Sequence, residues 1–113
     1  MDPVTALIVN KNLDGLAMRY LATADNIANA NAPGFRPAHV SFEAALRGAA
    51  SQGGRQVQQV QPLLVRDASA SADGPRLDQE LATAAETSMR YAALINLLGR
   101  QMQISHLAVR GGQ

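Results

Sequence analysis

From Pro3 to Ala30 the chain has no internal proline, and Leu13, Leu16, Ala17, Tyr20, Ala24, Ile27 and Ala28 recur at spacings of three and four. That period sets them on one face of a helix. Asp2 predicts the N-cap, because its carboxylate accepts from free backbone N–H groups, and Pro3 suits the first helical position, where an N–H would have had no partner. Pro33-Gly34 and Arg36-Pro37 break the pattern and predict a turn. A second proline-free run covers residues 78–110, in which Leu81, Ala84, Ser88, Tyr91, Ile95, Leu98, Met102 and Val109 form a stripe close to a seven-residue repeat. Leu94, Leu97, Ile104 and Ala108, extended by Leu107, make a second apolar face. At 1.5 Å per residue this helix is about 45–50 Å long. Asp78, Glu80 and Glu86 stand early and Arg90, Arg100 and Arg110 late, which complements the helix dipole; Asp78 and Glu80 read as capping residues, and Gly111-Gly112 as the stop.

The centre is less periodic. Ser41-Phe42-Glu43-Ala44-Ala45-Leu46 predicts a short helix near 41–48, with Ser41 as its cap. Residues 48–75 are rich in Gly, Gln, Ser and Ala, with apolar alternation only around Val57, Val60 and Leu63-Leu64-Val65. This stretch reads as a short extended pair or a mobile segment, and is expected to be the least ordered part. The organisation is therefore an N-terminal helix (1–32), a central turn and loop segment (33–76) and a C-terminal helix (77–113). The fold class is all-α: the terminal helices pair antiparallel, like a coiled coil, into one domain, and the loop-rich centre has room for a short helix or a β-hairpin. Gly15 and Ala22 on the first helix, and Ala85, Ala92 and Gly99 on the second, would let the two approach closely.

Composition sharpens this picture. Of 113 residues 47% are hydrophobic, but 21 are Ala, only 4% are aromatic, and 17% are charged where roughly 25% is usual. Two Phe, two Tyr and no Trp make a thin core for an isolated domain. A long helix with two apolar faces cannot cover both against one partner helix, so the second is expected to meet neighbouring subunits. The net charge of +1, with scattered Lys and Arg, argues against nucleic acid. There is no cysteine for a disulfide or a thiolate metal site, and no run approaches the ~20 apolar residues of a membrane span. His39 and His106, the only histidines, lack the companions of a metal or catalytic site, so no enzyme activity and no cofactor are expected. A soluble helical adaptor or secretion chaperone would share the amphipathic helices; a membrane-surface helix would need a Lys-rich polar face, which neither run has.

The most specific segment is Asn26-Ile27-Ala28-Asn29 followed by Pro33-Gly34-Phe35. By its physics alone it is a helix end and turn: asparagines bond nearby backbone, and Gly34 accepts a positive φ. These two elements together resemble the signature of the flagellar rod, hook and hook-associated axial protein family. The short chain, Val40-Ser41-Phe42-Glu43, and Leu77-Asp78-Gln79-Glu80-Leu81 with Tyr91 and Leu94 downstream agree with it. The likeness covers the first 47 residues and the last 40, and the centre matches nothing in particular. Asn31-Ala32 departs from the family's usual Asp-Thr, which removes a hydroxyl, and Pro75 stands where an Asn is usual.

The resemblance implies a structural subunit of the proximal rod in the periplasm, exported by the flagellar type III apparatus without a cleaved signal peptide. Its partners would be other copies of itself, other rod subunits, the adaptor between the MS ring and the rod, and the export gate. The expected assembly surface comprises Leu13, Leu16, Tyr20, Ile27, Leu81, Tyr91, Leu94, Ile95, Leu97, Leu98, Met102 and Ile104. The thin core predicts terminal helices that become ordered only on assembly.

Overall fold

The computed structural model describes residues 1–70 and 74–111. It is mostly helical: α1 (Pro3–Ala28), β1 (Ala38–Ser41), α2 (Glu43–Ala50), α3 (Gly54–Gln59), β2 (Leu63–Arg66) and α4 (Leu77–Gly111). Asp2 caps α1 as its sequence predicts, one carboxylate oxygen accepting from the Thr5 N–H at 2.8 Å and the other from the Thr5 hydroxyl at 2.9 Å. The first helix stops at Ala28, short of residues 30–32, because Asn29 leaves the helical conformation while its side chain donates back to the Asp25 carbonyl and carboxylate. Gly34 then takes a φ of +75°, which a residue with a Cβ adopts only under strain.

The centre differs from its expectation. Ser41 ends β1 rather than capping a helix; α2 begins at Glu43, with Phe42 at the cap position and no side-chain cap bond. Val57 is not in an extended segment but on α3, fully buried. The extended pair is β1 with β2, antiparallel, Ala38 opposite Arg66 and Ser41 opposite Leu63, so two helices intervene where a local hairpin was expected. The reason is burial. Phe42, Leu46, Ala49 and Val57 gather with Leu16 and Val40 into the core, and Val4, Leu7, Ile8, Ala22, Val60 and Leu94 pack around it. Fully burying a side chain of this size is worth about 1.5–3 kcal/mol, enough to order a Gly- and Gln-rich stretch that periodicity reads as loop.

Gly15 shows how tight this packing is. A Cβ there would collide with the Phe42 ring, so this glycine serves the centre and not the approach of the two long helices. Gly99 has open space around its would-be Cβ, and Ala85 and Ala92 are exposed. Lys11 Nζ donates to the Val60 carbonyl at 2.8 Å and ties α1 to the end of α3. The result is elongated, 65 × 27 × 13 Å, with α4 as its long edge.

These environments separate two glycines on otherwise similar helices. Gly15→Ala should destabilise the protein by about 1–3 kcal/mol through overpacking. Gly99→Ala should stabilise it by up to about 1 kcal/mol through helix propensity alone. Urea unfolding of both variants checks this, since a mere propensity effect would move the two in the same direction.

Candidate assembly interface

Asn26 is fully buried, and its amide joins α1 to two further elements, β1 and α4. Its Nδ2 donates to the Ala38 carbonyl at 2.8 Å and to Glu80 Oε2 at 3.1 Å, while its Oδ1 accepts from the Ala38 N–H at 3.0 Å. One side chain at the end of α1 thus completes the backbone pairing of β1 and holds the start of α4. Glu80 is itself buried, so it acts as the acceptor of this joint and not only as an early helix charge. His39 lies beside it on β1, with Nε2 3.7 Å from Glu80 Oε1 and Nδ1 3.5 Å from Asp67 Oδ1. Among the described residues no group of His, Asp or Glu is arranged to hold a metal ion.

The second half of the motif is a surface feature. Ile27 and Phe35 are half-buried, Ala28, Pro33 and Gly34 are exposed, and the Arg66 guanidinium lies 5.9 Å from the Phe35 ring centre.

Deeper along α1, Arg19 binds Glu43 through both guanidinium nitrogens, at 2.5 and 2.6 Å, and donates to the Val40 carbonyl at 2.7 Å. Its guanidinium also lies 5.0 Å from the Phe42 ring centre. Arg90 of α4 reaches the same carboxylate at 3.4 Å. These cations, led by the Arg19 hydrogen bonds, hold the Glu43 carboxyl at about 2, below its ordinary 4.5. Sequence reasoning missed this link, because nothing in the separation of residues 19 and 43 reports that β1 and α2 bring them together.

α1 and α4 pack against each other, and in the regions where they meet their residues run in opposite order. Asn26 meets Glu80, Tyr20 and Leu21 face Tyr91 and Ala92 across a groove of about 450 Å³, and Met1 and Ala6 share a cleft with Leu98 and Met102. The seam is partly polar: Thr23 and Asn26 on α1, and Glu80 and Thr87 on α4, are the buried polar residues of the chain as described. On α4 the inward positions are Glu80, Thr87, Leu94 and Gln101, with Ala84 and Leu98 beside them. The expected stripe is therefore rotated by one residue. It turns Leu81, Ile95 and Met102 outward, at 53, 46 and 71% exposure.

Of the candidate surface residues, Leu16 is wholly inside the core and offers no surface. Leu13, Ile27, Leu94 and Leu98 are half-buried, and Leu94 packs on the core. Tyr20, Leu81, Tyr91, Ile95, Leu97, Met102 and Ile104 are exposed, joined by Leu21, Met89, Leu107 and Val109. Leu21 and Met89 are absent from the expected set, although Leu21 stands four residues after Ala17 and three before Ala24, at the spacing of the α1 face. No described helix is long and apolar enough to cross a membrane. No protein-family model matches the chain, and no curated protein matches it.

Two predictions follow from the polar joints. Asn26→Ala leaves the Ala38 N–H and a buried carboxylate without their donor or acceptor and should cost about 2–4 kcal/mol, whereas Asn29→Ala, at an exposed bond, should cost under about 1 kcal/mol. Chemical denaturation of the two variants measures the contrast. Glu43 has a folded pKa below its unfolded one, so its contribution is complete above the ordinary value of 4.5 and disappears as pH falls toward about 2. Stability measured across that window should fall less steeply in Glu43→Gln than in the parent.

Proposed function

We propose that this chain is a structural subunit of the proximal rod of the bacterial flagellar basal body, of the FlgB type. The terminal helices pair antiparallel as a coiled-coil-like unit, and the outer face of α4 packs against neighbouring subunits in a hollow axial tube joined to the MS ring. The observation that carries this reading is the inversion on α4. Its inward side includes Glu80, Thr87 and Gln101, while Leu81, Met89, Ile95, Leu97, Met102, Ile104, Leu107 and Val109 face out. Large apolar side chains left in water in this number, with the exposed Glu86 and Arg100 among them, support a protein-binding role for the outer surface of α4.

The motif adds a second line of support. Asn-Ile-Ala-Asn supplies a buried amide that fixes where α4 starts, and Pro-Gly-Phe turns the chain into β1, so both halves serve the geometry of the paired ends. The intact Pro33-Gly34-Phe35 favours the FlgB type over an FlgC-like rod subunit. The partners on this reading are further copies, FlgC-like subunits, an FliE-like adaptor at the MS ring and, during export, the export gate. The role is structural, with no catalytic step and no cofactor, in the periplasmic rod.

A strain without this chain should export early flagellar substrates yet yield basal bodies without a rod when these are purified and imaged. Intact rods in that strain would overturn the proposal. Ile104→Asp together with Leu97→Asp should abolish motility by more than tenfold in swimming radius while leaving the unfolding midpoint of the purified chain nearly unchanged, because both side chains already face water. Pro33-Gly34→Ala-Ala should impair assembly by letting α1 run on past its stop.

A further inference from the structure

One flank of the α1–α4 seam is a groove of about 450 Å³, walled by Ala17, Tyr20 and Leu21 on α1 and by Ser88, Tyr91 and Ala92 on α4. Leu21 stands 70% exposed on its outer lip. Along the same line of α1 lie Asp14 and Asp25, both exposed, seven residues before Leu21 and four after it. Two carboxylates about 16.5 Å apart thus bracket the apolar wall. Asp25 also accepts an exposed hydrogen bond from Asn29 at 3.1 Å.

The C-terminal part of α4 has the matching pattern. α4 has 35 residues against 26 in α1, and Leu98, Gln101 and Ser105 are among the positions it turns toward Met1 and Ala6. The helical period puts Arg100, Gln103, Leu107 and Arg110 on the opposite side, with Ile104 beside them. Leu107 and Ile104 are 64 and 60% exposed. Two arginines about 15 Å apart therefore bracket an apolar knob, at nearly the spacing of the two aspartates. None of these four charges has an ion-pair partner among the described residues.

We propose that residues 100–110 of α4 dock in the α1–α4 groove of the next copy of this chain, antiparallel to its α1. This rests on the reading that neighbouring copies cover the outer face of α4, and it names the two surfaces that meet. The charge spacing selects both the occupant and its direction. With Arg110 on Asp14 and Arg100 on Asp25, Leu107 falls on Ala17 and Ile104 on Leu21, so Leu107 enters where the α1 wall is lowest. The reverse direction sets Leu107 directly on Leu21 and Gln103 on Ala17. Exposed ion pairs add little affinity, so they fix the register while the apolar contact supplies the attraction.

A segment antiparallel to the receiving α1 is parallel to the receiving α4. Successive copies therefore point the same way, offset by about 25 Å along the helices. Each copy places its knob on one neighbour and keeps its own groove open for another. Such a head-to-tail contact does not close as a pair, and it extends along an axis as a tube requires.

Sedimentation of the full chain over a hundredfold range of concentration should show a mass that keeps rising past the dimer. Asp14→Arg with Asp25→Arg reverses the groove, and Arg100→Asp with Arg110→Asp reverses the knob. All four side chains face water, so each double variant should stay folded by circular dichroism and associate at least tenfold more weakly. The chain carrying all four changes has matched charges again and should recover. The chain has no cysteine, so Ala17→Cys and Leu107→Cys can be mixed as separate chains. The mixed disulfide should form at least tenfold faster than either chain pairs with itself. A parent that stays monomeric, association that survives both reversals, a four-fold variant that does not recover, or no preference for the mixed disulfide overturns the docking. Those results leave the rod reading in place, since that reading fails only if rods persist in a strain without the chain.

Discussion

The architecture depends on the buried amide of Asn26. A strand that leaves a helix end, crosses the same helix and then feeds a sheet has outward backbone groups that would lie against α1 without partners. Asn26 satisfies the N–H and C=O of Ala38 together, and its remaining donor hydrogen reaches Glu80. An amide supplies two donor hydrogens and an acceptor oxygen without carrying a charge, which is what the three bonds of this site require. Arg19 repeats the device one strand position on, binding Val40 and Glu43 at once. These two residues, seven apart on α1, turn a helix into the missing neighbour strand of β1.

This arrangement decides where the apolar core can form. With β1 held along α1, Val40 and Phe42 are delivered onto Leu16, and the Phe42 ring needs the gap that Gly15 leaves. The short helices α2 and α3 then close over it with Leu46, Ala49 and Val57. The core is small, as the scarcity of aromatics implies, but it lies between α1 and the centre of the chain. It does not lie between the terminal helices. Those meet instead along a seam that includes Thr23, Asn26, Glu80 and Thr87, with Leu94 as its apolar contact with the core.

The consequence for function is that α4 keeps its apolar surface in reserve. A helix docked through Glu80, Thr87, Leu94, Leu98 and Gln101 still leaves Leu81, Met89, Ile95, Leu97, Met102, Ile104 and Leu107 exposed, and a single copy does not cover them. That is the condition for a subunit whose stability and purpose are completed by neighbours, and it is the physical content of the rod reading.

The chain by itself determined the two long helices, since a period of three and four over such lengths, a carboxylate and a proline at one end, and asparagine or glycine at the other act locally. It also determined that the core would be thin and that one helix would have apolar surface to spare. The tertiary structure alone decided which side of α4 faces in. Positions 80, 87, 94 and 101 and positions 81, 88, 95 and 102 share the same repeat, so periodicity cannot separate them. The buried partner of Glu80 does, because a carboxylate joined to Asn26 fixes the rotation of the whole helix. The order of the centre was equally illegible: Phe42 and Val57 look isolated among Gly, Gln and Ser, and only the space under α1 gives them a place to be buried.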